Sequence, residues 1–164
     1  MTELIFLIII SIAVFLILAA IKGKSKSSGD EAWPFYAKKP LSQPEQILYF
    51  RLIQALPDHI VLAQVQLSRF LGVKKGNNYQ AWLNRINRMS ADFVICSKDA
   101  SIVSVIELDD ASHRKENRQQ ADTKKNKALS SAGIKLVRWE AKTLPDIAKI
   151  QDELLSISAT ICAD

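Results

Sequence analysis

Residues 4–21 read LIFLIIISIAVFLILAAI, 18 positions without a charge. That run is the strongest constraint on the chain. At about 1.5 Å of rise per residue, a helix of this length reaches across most of a roughly 30 Å hydrocarbon layer. A secretory signal peptide carries its basic residues ahead of a shorter apolar core. Here Thr2 and Glu3 precede the run, and Lys22, Lys24 and Lys26 follow it. Because basic flanks stay on the cytoplasmic side, the expectation is an uncleaved anchor at residues 1–21 with the remaining chain in the cytoplasm. A buried helix of a soluble core is the weaker alternative, since no polar face interrupts the run.

The rest of the chain divides by composition. Residues 22–40, rich in Lys, Ser and Gly, read as a linker. Trp33, Phe35 and Tyr36 inside it suit either the membrane interface or the domain surface. Residues 41–157 carry the periodic segments of one domain, and 158–164 a short tail. Cys96 and Cys162 are too few for a Cys-rich zinc site, and His59 and His113 have no ligand spacing with them. In the cytoplasm these thiols stay reduced. The net charge of +5 permits an anionic partner without identifying one, because part of it belongs to the lysines after the apolar run.

Ser42 and Glu45 have capping-box spacing with Pro44 in the first turn, so a helix begins there and runs to Pro57. HIVLAQVQL follows as a strand, and YQAWLNRINRM as a second helix after the turn-forming KKGNN. Residues 91–96 and 102–109 form a hairpin across SKDAS. A charged helix ending at Gly133, the strand IKLVRW and a last amphipathic helix complete the order. That succession predicts an α/β sandwich with a mixed central sheet flanked by helices, preceded by one transmembrane helix.

The hairpin carries acids where a buried strand has no ordinary use for them. Strand alternation puts Val103, Val105, Glu107 and Asp109 on one face, with Ile102, Ser104, Ile106 and Leu108 on the other. A turn that pairs Ser97 with Ile102 brings Asp92 opposite Glu107. Three crowded carboxylates cannot all ionise comfortably without a cation, and hard oxygens at a strand end are what Mg²⁺ prefers. Metal-assisted phosphodiester hydrolysis fits such a site. Acids at a strand end also cap helices or sit in solvated turns, and clustered carboxylates occur in structural networks.

The pattern of Asp92, then Glu107-Leu108-Asp109, then His113, a helix with Asp122 and Lys125, and Leu129, Gly133, Val137 and Arg138 resembles the PD-(D/E)XK endonuclease-like superfamily. It is most similar to the branch of very-short-patch-repair-like endonucleases, and its upstream helix resembles a membrane-anchored bacterial family of unknown function. The resemblance spans residue 41 to about 146. It implies a restriction-endonuclease-like fold with Asp92 and Glu107 as metal carboxylates and Glu45 as the acid of the first core helix. It also implies Mg²⁺ or Mn²⁺ as cofactor and nucleic acid, DNA before RNA, as substrate. Asp109 stands where the family has its lysine, so it joins the metal set, and Lys124 or Lys125 would take over the basic role. His113 would act as a base or a phosphate contact, and Lys124, Lys125, Lys127 and Arg138 would meet phosphates.

Ordinary readings stand beside these. Glu45 completes a capping box, Asp122 and Lys125 make a helical ion pair, and the basic helix is a solvated face. The resulting expectation is a single-pass bacterial inner-membrane protein with a cytoplasmic, metal-dependent nuclease domain. The rivals are a catalytically silent module of the same fold that binds nucleic acid or protein at the membrane, and a tethered adaptor without nucleic acid. No particular protein partner is indicated.

Overall fold

A computed structural model describes residues 2–22, 32–109 and 116–161. His113 and Cys162, both weighed above, lie outside these residues. The chain divides into two compact units, Met1–Lys38 and Lys39–Asp164.

In the first unit, α1 is a helix over Thr2–Lys22. Its side chains at Thr2, Leu4, Ile5, Ile9 and 18–22 are outside the described set. Among the described residues no helix is long and apolar enough to cross a membrane. Residues 32–39 have no regular structure, and Trp33, Phe35 and Tyr36 are exposed.

The second unit is a mixed α/β domain. Its elements are α2 (Gln43–Ala55), β1 (Ile60–Gln66), a 3₁₀ turn (Leu67–Arg69), α3 (Tyr79–Ile86), β2 (Ser90–Cys96), β3 (Ile102–Asp109), α4 (Glu116–Ser131), β4 (Lys135–Glu140) and α5 (Ile147–Ile161). This is the element order read from the sequence. The four strands form one sheet in the order β1-β2-β3-β4, antiparallel except for the parallel β3–β4 pair. A parallel pair needs a long crossover, and α4 supplies it.

Each sheet face buries its own core. On one side α2 and α5 bring Leu48, Leu52, Ile150 and Leu154 against Phe93, Ile95, Ile106 and Trp139. On the other, Leu67, Leu71 and Leu129 pack on Val94, Cys96 and Val105. With both faces covered, β2 and β3 are nearly continuous apolar runs rather than alternating ones. Cys96 is among these buried groups, where burial pushes its thiol pKa up.

The strand faces depart from simple alternation. Cys96 pairs with Ile102, whereas Ile95 pairs with Ser104, so Val103 is an extra residue in the ladder. The bulge turns Val103 into the core of Ile106 and Leu108 and places Ile102 beside Val105. These two residues therefore exchange the faces that alternation assigned them, and the expected Ser97–Ile102 pair is replaced by Cys96–Ile102. Beyond the bulge the register is the expected one, with Phe93 opposite Ile106, so its continuation brings Asp92 level with Glu107. The turn that fixes this register is tied locally. Asp99 accepts from Ser97 Oγ at 2.5 Å, from Ser101 N at 3.1 Å and from Ser101 Oγ at 2.9 Å.

α4 ends in a Schellman arrangement: Ile134 N–H donates to Leu129 O and Gly133 N–H to Ser130 O, both at 3.0 Å. Gly133 has φ +72°, and no heavy atom lies within 4 Å of where a Cβ would sit. Its cost to a larger residue is therefore backbone alone. Gly133→Ala is expected to destabilise the domain by about 1 kcal/mol, lowering Tm by about 4 °C in calorimetry. An unchanged Tm would show that the helix end relaxes freely.

Candidate functional site

Glu107 is the centre of the site, near the end of β3 on the face toward α4. Its side chain is only 8 % exposed, and Lys125, at 14 %, reaches from α4 to place Nζ 2.6 Å from Oε2. The other oxygen, Oε1, is buried and has no hydrogen-bond partner among the described residues. Buried carboxylate oxygens ordinarily find donors, so an orphan of this kind calls for an explanation. Burial pushes the Glu107 pKa up, and the nearby Asp92 charge adds to the rise, while Lys125 and Arg138 oppose it.

Asp92 sits across from it on β2. Its Oδ2 accepts from the backbone N–H of Leu108 at 2.8 Å, which pins the two strand ends together. Its Oδ1 accepts from Gln64 Nε2 at 3.3 Å. Burial raises the Asp92 pKa, Glu45 pushes the same way, and the Leu108 bond, Lys125 and Gln64 hold it back. Asp92, Glu107 and Lys125 thus form one electrostatic unit.

Glu45 enters from the first turn of α2 in two roles at once. Its Oε2 accepts from Ser42 N–H at 2.5 Å, the reciprocal half of the capping box. Its Oε1 accepts from Gln64 Nε2 at 2.7 Å. The same amide therefore bridges Glu45 and Asp92.

Gln64 was not singled out from the sequence, where it reads as an outward polar residue of β1. The ladder runs from Ala63–Phe93 to Val65–Ala91 and passes over Gln64 and Asp92. Gln64 has φ +52°, a left-handed conformation that a non-glycine residue rarely adopts. Such strain gathers where a side chain must be aimed, and here it aims an amide between two acids. The break also turns the strand: Val61 and Ala63 pack with the α2–α5 core, but Val65 with the opposite one. A glutamine opposite an aspartate in an antiparallel register was the available signal.

Asp109 does not join Asp92 and Glu107 as expected. Arg138 Nη1 contacts its Oδ1 at 3.0 Å and its Oδ2 at 3.1 Å, and Arg138 Nη2 donates to Asn126 Oδ1 at 3.0 Å. The parallel register places Arg138 level with Glu107, so its long side chain reaches the strand end. Among the described residues no group of three or more His, Cys, Asp or Glu side chains is placed to hold a metal ion. The expected three-carboxylate set is therefore not assembled, because Asp109 has an arginine partner. Of the expected phosphate contacts, Lys125 and Arg138 are engaged by Glu107 and Asp109, and Lys124 and Lys127 are exposed. His113 falls outside the described residues.

The ion pair can be tested by a double-mutant cycle. A buried pair costs desolvation to form, but removing one partner leaves an uncompensated charge. Glu107→Gln and Lys125→Met are each expected to cost about 3 kcal/mol in denaturant unfolding. The double variant should recover most of that loss. Additive losses would mean that the two groups do not act as a pair.

No curated protein and no solved structure matches the chain. A family model described as Protein of unknown function (DUF2726) matches residues 37–157. The match takes in every strand of the sheet together with Glu45, Asp92, Glu107 and Lys125, so the chain belongs to the DUF2726 family.

Proposed function

We propose that this chain is a membrane-anchored, metal-dependent nuclease of the PD-(D/E)XK type that hydrolyses phosphodiesters in nucleic acid, DNA before RNA. The observation that carries the reading is the buried Glu107 carboxylate, with Oε1 unpartnered, Oε2 on Lys125 and Asp92 beside it. The donor set suits Mg²⁺ or Mn²⁺: two carboxylates supply hard oxygens, and water and phosphate complete the shell of such ions. Asp92 and Glu107 would hold the ion, which when bound would polarise a phosphate and acidify a bound water. Lys125 holds its ammonium at the same carboxylate, where it can neutralise charge on an entering phosphate. It fills the role that Asp109 cannot fill from the lysine position of the motif. Gln64 and Glu45 fix the Asp92 carboxylate from the other side. Arg138 keeps Asp109 turned to itself.

A silent binding module of the same fold is the second reading. It is favoured by the absence, among the described residues, of any group of three acids placed to hold a metal ion.

Thermal unfolding of the full chain in detergent separates the two. Metal that binds only the folded state stabilises by about 2.7 kcal/mol at a hundred times its Kd. Millimolar Mg²⁺ or Mn²⁺ is expected to raise Tm relative to EDTA, and Asp92→Asn should abolish that rise. Plasmid and single-stranded DNA should be cut only with metal present, and Asp92→Asn should lower the rate at least a hundredfold. A chain with no metal-dependent shift and no cleavage would leave the silent module as the better account.

The anchor is part of the proposal. It is supported by the 18 uncharged residues at 4–21, the lysines that follow them and the helical course of Thr2–Lys22. In a bacterial host the chain is expected in the membrane fraction, released by detergent and not by salt. Protease added to spheroplasts should leave the domain intact, because lysines after the span keep it inside. Digestion from the periplasmic side would reverse the topology.

A further inference from the structure

α4 presents different neighbours to successive lysines. Lys125 turns to Glu107. Lys124 and Lys127 instead line a groove of about 690 Å³ with the segment after the 3₁₀ turn and α3. Its floor is apolar, with Leu71, Ile86 and Ala128, and its other charged lining residues are Lys74 and Arg85. No acid is among the described lining residues. On α3 the Arg85 guanidinium lies 4.1 Å from the centre of the Trp82 ring. Trp82 is nevertheless 46 % exposed, so much of the indole remains available to a ligand.

We infer that this groove holds an unpaired nucleic-acid strand, with a base against Trp82 and phosphates on Lys124 and Lys127. The inference rests on the nucleic-acid reading of the neighbouring acid site, though not on that site being catalytically active. Four cations with no acid among the described lining residues call for a polyanion. An aromatic ring above an apolar floor adds what a duplex does not need. Duplex bases stay stacked inside the helix, while an unpaired base offers its face to an aromatic side chain, and that contact tolerates any sequence. The Arg85–Trp82 pair supplies a stacking platform with a cation already on it. Lys124 and Lys125 are adjacent, about 100° apart around the helix. A strand lying on Lys124 and Lys127 therefore runs beside the Asp92–Glu107 pair.

The test measures binding of the full chain in detergent, with EDTA present, to a fluorescent single-stranded oligonucleotide and to its duplex. Trp82→Ala is expected to weaken single-strand binding about tenfold, to leave duplex binding unchanged, and to be rescued in part by Trp82→Phe. Lys124→Ala with Lys127→Ala should reduce the slope of log affinity against log salt by about 1.4 for the single strand. Far-UV circular dichroism confirms that each variant is folded. Single-strand binding that depends on Trp82, in a chain that cuts nothing when metal is added, supports the groove and overturns the enzyme reading. Single-strand binding indifferent to Trp82 and to the lysines overturns the groove and leaves the enzyme reading standing. A chain that binds neither oligonucleotide overturns the groove, and overturns the enzyme reading too if it also cuts nothing when metal is added.

Discussion

A carboxylate and an ammonium, both almost out of water, tie α4 to the end of β3, and the site is organised around that contact. Buried ion pairs are poor sources of net stability, because desolvation offsets much of the attraction. Here the contact also stands where a helix would ordinarily place an apolar residue. The inward positions of α4 run Asp122, Lys125, then Leu129, the first two half-buried and the last fully so. Its C-terminal end docks conventionally, with Leu129 and, just beyond the helix, Ile134 in one core and the Schellman turn closing it. One turn before Leu129 the Lys125–Glu107 ion pair holds the helix instead. A helix that departs from the apolar pattern where it meets an acid-bearing strand is what a site imposes on a fold.

The opposite wall shows the same priority. Gln64 takes a left-handed backbone inside a strand, the ladder skips it, and its amide lands between Glu45 and Asp92. A regular β1 would pair Gln64 with Asp92 in the ladder and cost no strain; instead the exposed Gln64 directs its amide to the two acids. The capping box of α2 is drawn into the same arrangement, since one Glu45 oxygen caps the helix and the other meets Gln64. The two readings of Glu45, structural and functional, are therefore compatible: the two carboxylate oxygens divide the work.

The element order was legible because each segment carries its own period and punctuation: Ser42, Pro44 and Glu45 at one helix start, Gly133 at another helix end. The Asp92–Glu107 alignment was legible from counting along a hairpin, yet the counting began from a pair that does not form. The bulge at Val103 absorbs the one-residue difference before the register reaches the acids. Nothing in IVSVI announces that bulge, since every residue around it is apolar or small and packs on either face. The Arg138 partner of Asp109 was not legible, because alternation places a side chain on a face without saying what else competes for it. The competitor, Arg138, comes from a parallel neighbour 29 positions later. The role of Lys125 could be suspected only from resemblance, because Asp122 and Lys125 at i, i+3 look like any helical ion pair. Trp82 and Arg85 passed as ordinary residues of a short helix, for their importance lies in what α4 brings opposite them.

Charge balance links the two halves of the site. Asp92 and Glu107 bring two carboxylates into a partly desolvated space, with Glu45 adding its field, against the ammonium of Lys125 and the more distant charge of Arg138. Burial therefore raises both pKa values despite the lysine, and the pair binds a proton more readily than free carboxylic acids do. The same imbalance favours a cation at Glu107 Oε1, which has no hydrogen-bond partner among the described residues. On the far side of α4 the imbalance has the opposite sign: Lys74, Arg85, Lys124 and Lys127 line the groove with no acid among its described lining residues. One helix thus separates a carboxylate pair from a basic groove, with Lys125 and Lys124 as adjacent residues on the two sides. A phosphodiester strand is the ligand class proposed for both. Its phosphates would meet the lysines of the groove, its bases would cover the apolar floor and Trp82, and a phosphate at the acid pair would share a divalent cation with Asp92 and Glu107.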